Sequence, residues 1–250
     1  MLGSSCSIPR PGRACSSYLV QYAGATIAAD LGTGSFSNLL AHGSLSDLDA
    51  VIISHMHADH FLDVVPMRYA LKYGNARRSR RVLLYLPPGG EDLLRRLTSA
   101  FHPESSADFM SEVFDIRAYD PQAALEVGEV VVRFAATRHY IATYAMRFEA
   151  GTKSLTYSAD TAPEDAVTRL ARGTNLFICE ATLSSAAEVE LPLGHSSARQ
   201  AAEMAAAAGV ERLLLTHYPL TLDAAAMAAE ARERFGGSLQ VADDGFSYTL

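Results

Sequence analysis

The segment His55-Met56-His57-Ala58-Asp59-His60 constrains this chain more than any other, because of what it follows. Directly before it runs Leu48–Ser54, LDAVIIS, a β-branched stretch that reads as a buried strand. Three imidazoles and one carboxylate therefore crowd a single tight loop at a strand end. A lone histidine is explained by packing or by a surface position. A cluster is not, because neighbouring imidazoles gain nothing by packing together. Histidine and aspartate together are transition-metal ligands. His55 and His57, two apart, project to one side of an extended segment. Asp59 and His60 then turn into the following helix and can face a second metal.

The rest of the chain reads as a frame for such a site. Residues 17–31 form a hairpin around Ala23-Gly24. Residues 60–73 are helical by pattern, with Pro66 obscuring the start. Arg81–Leu86 is a strand, Glu91–Ala100 a helix, and Val127–Ala136 one long strand or a pair. Thr143–Phe148 and Ser154–Ser158 make a hairpin around Gly151. Glu164–Arg172 is a helix, Asn175–Ala181 a strand, and Ser196–Ala208 a helix capped by Ser196 or Ser197 and stopped by Gly209. Glu211–Thr216 is a strand, Leu222–Phe235 a helix, and SLQVA and FSYTL are closing strands. Strands alternating with helices in both halves predict a layered α/β fold, one domain over residues 1–250.

Composition removes several classes. Hydrophobic residues make up 49% and charged residues 20%, which excludes a disordered chain. No run approaches the roughly 20 apolar residues of a membrane span. MLGSSCSIPRPGR has no apolar signal core, so the expected compartment is the cytoplasm. Cys6, Cys15 and Cys179 make neither a disulfide framework nor a Cys-x-x-Cys metal pair. The net charge of −7 gives no bulk attraction for long nucleic acid. The basic run Arg77–Arg81 reads as a solvated loop or as a contact for phosphates.

His-x-His-x-Asp-His after an apolar strand resembles the signature of the metallo-β-lactamase superfamily. The resemblance continues in order through Thr137-Arg138-His139, Ser158-Ala159-Asp160-Thr161 and Thr216-His217-Tyr218. Upstream, Ala29-Asp30-Leu31-Gly32-Thr33-Gly34 matches the Asp-x-Gly turn that precedes the metal motif. The resemblance implies a four-layer αββα sandwich with two divalent metal ions. His55, His57 and His139 would hold one, and Asp59, His60 and His217 the other. Asp160 would bridge them, and Asp30 would orient a ligand loop from behind. Zinc is the first choice, with manganese or iron also suited to the ligands.

Glu180, ending the run LFICE, and Gly194-His195-Ser196-Ser197, opening a helix, resemble the ribonuclease Z-like, phosphodiesterase-type branch. There a glutamate and a histidine form a dyad behind the metals, and the histidine meets the phosphate or the leaving oxygen. The other reading of His195 is a helix cap. The opening Leu2–Pro11 is also similar to that branch, with Cys6 where glycine is common. Asp160 follows His139 by only 21 positions, too few for the arm with which ribonuclease Z grips transfer RNA. The implied function is hydrolysis of a small, cyclic-nucleotide-type phosphodiester. A water activated between the cations would attack, Asp59 would act as base and His195 as acid. A transfer-RNA nuclease, a lactonase, thioesterase or β-lactamase on the same metals, and a non-catalytic binding module stay open. The segment Phe61–Tyr73 is apolar on more than one face, which predicts a homodimer.

Overall fold

The computed structural model describes residues 1–74, 80–102, 109–185 and 194–250. Strands β1 (Tyr18–Tyr22) and β2 (Ala25–Ala29) form the expected antiparallel hairpin. Helix α1 (Ser35–His42) carries the chain to β3 (Ala50–Ile52), parallel to β2. Helices α2 (Ala58–Phe61) and α3 (Val64–Tyr73) precede β4 (Val82–Leu86). Helix α4 (Gly90–Ser99) precedes β5 (Phe114–Ala118). The five strands lie side by side in sequence order.

A second sheet begins as an antiparallel meander, β6 (Leu125–Val127), β7 (Val130–Ala136), β8 (Tyr144–Ala150) and β9 (Lys153–Tyr157). It then winds in parallel through α5 (Asp165–Leu170), β10 (Leu176–Glu180), α6 (Ala198–Ala208), β11 (Arg212–Thr216), α7 (Ala224–Arg232) and β12 (Ser238–Val241). The strand order is β12-β11-β10-β9-β8-β7-β6.

The period-two alternation of side chains sorts each strand between two cores. Ile27, Ala29, Ala50 and Ile52 of the first sheet meet Val132, Met146, Phe148, Tyr157, Ile178 and Leu214 of the second. Ala28, Val51 and Leu84 point the other way, onto Leu39, Val64, Met67 and Leu94 of the helices. Behind the second sheet, Phe177, Cys179, Leu213 and Leu215 pack on Ala201, Ala202 and Ala205 of α6. The layers are helix, sheet, sheet, helix, as the resemblance implies. Small side chains let α6 approach its sheet closely. Ser197 and Gln200 close its first turn with a reciprocal capping box.

The predicted elements need several corrections. The helical stretch 60–73 is two helices, broken at Leu62-Asp63. Pro66 falls in the first turn of α3, where its missing N–H costs nothing. FSYTL is not a strand: Phe246, Tyr248 and Leu250 pack against the inter-sheet core outside any strand ladder, with the Phe246 carbonyl accepting from the Met1 amino group at 2.7 Å. The opening residues make isolated bridges, Gly3 to Ser17 and Ser5 to both Cys15 and Tyr218, in place of a strand. Helix α1 and strand β5 had no clear pattern, since Ser, Asn, Asp and Arg interrupt both. Among the described residues no helix is long and apolar enough to cross a membrane. In the basic run, Arg77 and Arg78 lie outside the described residues. Arg80 pairs with Asp49, and Arg81 donates to the Ser111 carbonyl at 2.9 Å.

Candidate metal centre

The topology brings every predicted site residue to one edge of the sandwich. His139 follows β7, Asp160 follows β9, Glu180 ends β10 and His217 follows β11. These strands run in the same direction, so their C-terminal ends line up. The motif loop arrives from β3 of the other sheet. Backbone strain concentrates here: Asp30, Ala159 and His217 have φ of 58°, 51° and 55°, left-handed values that L-residues rarely adopt. His217 is held in this turn by donating its N–H to the Ser4 carbonyl at 2.9 Å. At Gly32 a Cβ would lie 1.9 Å from the Asp59 carbonyl oxygen, so the Asp30–Gly34 turn and the motif loop can touch only through glycine.

Two groups of donor atoms converge. In the first, His57 Nδ1 lies 3.1 Å from His55 Nε2 and 3.0 Å from His139 Nε2. Asp160 Oδ2 is 3.7 Å from both of those Nε2 atoms. In the second, His217 Nε2 lies 3.3 Å from His60 Nε2 and 3.2 Å from Asp59 Oδ2. Asp160 Oδ1 completes it, 3.3 Å from His60 Nε2 and 3.4 Å from His217 Nε2. Asp160 thus offers one oxygen to each group.

The outward nitrogens of four of these rings are tied to protein oxygens. His55 Nδ1 meets Ser54 Oγ at 3.0 Å, and His60 Nδ1 meets Asp30 Oδ2 at 2.7 Å. His139 Nδ1 meets the Gly194 carbonyl at 2.7 Å, and His217 Nδ1 meets Thr182 Oγ1 at 2.8 Å. Since each outward nitrogen donates, each inward nitrogen keeps its lone pair for the cluster. Asp30 anchors the arrangement. Its buried carboxylate accepts from Ser54 N at 2.7 Å, Ser54 Oγ at 2.8 Å, Tyr157 OH at 2.8 Å and His60.

This donor set fits cations. Burial lowers the pKa values of His55, His57 and His139, which favours neutral rings. Burial works against the Asp160 charge, yet positive charge at His217 and His60 holds it well below the usual carboxylate range. Asp160 and Asp30 in turn outweigh burial and raise the His60 pKa, so without a metal this group draws protons as its cations. Asp160 Oδ1 is nevertheless buried with no well-aligned hydrogen-bond donor. A buried anionic oxygen facing lone pairs is costly unless a cation sits between them.

Beside both groups stands His195, its ring centroid 4.9 Å from that of His139 and stacked 5.8 Å from that of His217. His195 Nδ1 donates to Glu180 Oε1 at 2.9 Å. Burial alone would lower the His195 pKa, but the hydrogen bond and charge of Glu180 outweigh it, and the imidazole is pushed up to about 9. Glu180 is itself fully buried. It also accepts from Thr161 N at 2.8 Å and from Thr182 N and Oγ1 at 3.2 and 2.7 Å. Although Glu180, His195 and His217 approach closely enough to suggest a third metal group, these donors already occupy the Glu180 oxygens. All nine sequence-predicted residues thus lie in one cluster.

Residues 30–218 match the family profile described as the Beta-lactamase superfamily domain. The chain belongs to the metallo-β-lactamase superfamily. Within it, the chain is 27% identical to the probable metallo-hydrolase YhfI of Bacillus subtilis, over 98% of this chain and 97% of YhfI. The crystal structure of YhfI superposes with a TM-score of 0.88 at 27% identity, covering 98% of this chain and 96% of that one. An uncharacterised protein of Mycobacterium tuberculosis, Rv1339, is 31% identical over 98% of this chain and 90% of its own. Ribonuclease Z of Haloferax volcanii is 25% identical over 98% and 92%. The protein is a metallo-hydrolase of this superfamily, related to ribonuclease Z.

Sequence reasoning missed Ser54, Tyr157 and Thr182. A signal existed for Thr182, since a residue two beyond Glu180 in extended chain shares its side. Tyr157 carried none, because a tyrosine in a strand reads simply as core.

Proposed function

We propose that the protein hydrolyses small phosphodiesters, a cyclic nucleotide being the first candidate, with two divalent cations that are zinc. The reading rests chiefly on one observation: the buried Glu180 holds His195 beside both ligand groups. His55, His57 and His139 would hold one cation, Asp59, His60 and His217 the other, and Asp160 both. Bound there, the cations would neutralise charge on the phosphoryl oxygens and make a water acidic enough to attack at neutral pH. Asp59 Oδ2 lies among the second group and can take the nucleophile's proton. His195 Nδ1 is committed to Glu180, which leaves Nε2 to protonate the leaving oxygen. Glu180 keeps the ring in that orientation and stabilises its cationic form. A diester's leaving alkoxide needs a proton, and His195 Nε2 is placed beside both ligand groups to give it.

The net charge of −7 and the short His139–Asp160 segment favour a small substrate over transfer RNA. The test is a competition between 3′,5′- and 2′,3′-cyclic nucleotides, a generic aryl phosphodiester, a transfer-RNA precursor, a lactone and a β-lactam, using zinc-loaded protein. The highest kcat/KM is expected on a cyclic nucleotide. Higher kcat/KM on the precursor, or turnover of lactone or β-lactam alone, would refute the reading.

We read the protein as a cytoplasmic homodimer formed through α3. Tyr69 and Tyr73 there are 39% and 71% exposed and adjoin the partly exposed Phe101 through Phe109. An exposed aromatic cluster of this kind suits a protein contact. Light scattering at micromolar concentration should give twice the chain mass, and a monomer would refute it.

A further inference from the structure

We infer that Tyr140 is the residue that selects for a nucleobase on the substrate, an inference that rests on the phosphodiesterase reading above. Tyr140 directly follows the ligand candidate His139 and is 61% exposed. Its ring centroid lies 4.9 Å from that of His139 and 5.8 Å from that of His195. It therefore stands next to the position from which the leaving group would depart. Among the described residues these two histidines are its only ring neighbours.

Among the described residues the other exposed aromatics, apart from Tyr22 at the end of β1, have a different explanation. Tyr69, Tyr73 and Phe101 contact one another or Phe109, forming a cluster of their own on the α3 side. Tyr140 belongs to no such cluster. Its ring is backed by the chain at Gly194, where a Cβ would come within 3.2 Å of Tyr140 Cε2. Ile141, next in sequence, is 38% exposed. A large aromatic ring buttressed from behind, open to solvent and adjacent to the reacting groups offers a stacking surface. What stacks there must be flat and aromatic. On a phosphodiester, that group is a nucleobase, whose π-face suits tyrosine whatever its hydrogen-bonding edge. The site would therefore prefer nucleotides over base-free sugar phosphates while discriminating little among bases.

The experiment has two arms on zinc-loaded protein. In the first, kcat/KM is measured for 3′,5′-cyclic AMP and for the matching cyclic phosphate of methyl ribofuranoside, which has no base. The native protein should favour the nucleotide by about tenfold, the scale of one base stacked on an aromatic ring. Tyr140→Ala should erase that preference through KM, and Tyr140→Phe should keep it. In the second arm, calorimetry compares binding of AMP and ribose 5-phosphate. AMP should bind about tenfold tighter to the native protein and to Tyr140→Phe, and equally tightly to Tyr140→Ala. This arm needs no turnover. An absence of diester hydrolysis would sink the phosphodiesterase reading, whereas equal binding of AMP and ribose 5-phosphate by the native protein would sink the role of Tyr140. A base preference that survives Tyr140→Ala would also overturn it.

Discussion

The two ligand groups look alike in composition, yet the protein holds them by different means. The Asp59, His60 and His217 group is braced from the interior. His60 is fully buried, and a carboxylate that itself accepts three other hydrogen bonds fixes its outer nitrogen. His217 is fixed through Thr182 to Glu180. The His55, His57 and His139 group depends more on the rim. His57 is half-buried, and His139 leans on a single backbone carbonyl, that of Gly194. One group is set by charge in the core; in the other only His55 is tied back to that charge, through Ser54, and His139 follows the path of a loop. The difference teaches that identical ligand types need not give equal affinity, because the atoms behind them decide how well they are aimed.

The largest effect expected is at the residue the two groups share. Asp160→Ala should lose both metal ions, and elemental analysis should then find almost none per chain. Two tightly held ions in that variant would mean that the groups are independent. Next comes His195→Ala, expected to lower kcat by about 10²–10⁴-fold while metal content stays intact. An unchanged kcat would reduce His195 to a helix cap.

Asp30→Asn tests the interior brace directly. All four partners of Asp30 donate, so an amide NH2 would face a donor. The second group should lose about 10–100-fold in metal affinity, seen by competition with a chelator, while the first group changes less. Equal weakening of both would contradict the comparison. The smallest effect belongs to Gly194→Ala. The new Cβ would approach His139 Nδ1 to 2.9 Å and must push the loop away. A few-fold loss confined to the first group is expected, by the same titration.

How much of this could be read from the sequence depended on how much chemistry each residue carries. Three imidazoles and a carboxylate on one loop are hard to explain otherwise, so His55–His60 was legible from its residues. His139, Asp160, Glu180, His195 and His217 were legible only through their resemblance, in order along the chain, to a known family. Asp30 was legible as a support because its turn precedes the motif. Ser54 and Tyr157 were not, since a serine after a strand and a tyrosine within one have ordinary uses and only their neighbours in space give them a role, and the one trace of Thr182 was its place two beyond Glu180. Helix α1 was invisible for a similar reason. The carboxylate that receives its Phe36 N–H, at 2.9 Å, is Asp63, which lies 27 positions away and not in the local sequence. FSYTL misled because its alternation is real, with Phe246, Tyr248 and Leu250 turned inward, though no strand pairs with it.

The left-handed turn at His217, pinned to the Ser4 carbonyl, also has a meaning in time. A chain emerging from the ribosome presents His55, His57, His139 and Asp160 well before His217 exists. The rim group can thus be complete while the interior group still lacks a member. That last histidine reaches its place only when β11 has paired with β10 and its turn has docked on Ser4. The better-braced half of the centre is the half that is finished last, and its completion reports that two stretches far apart along the chain have found each other.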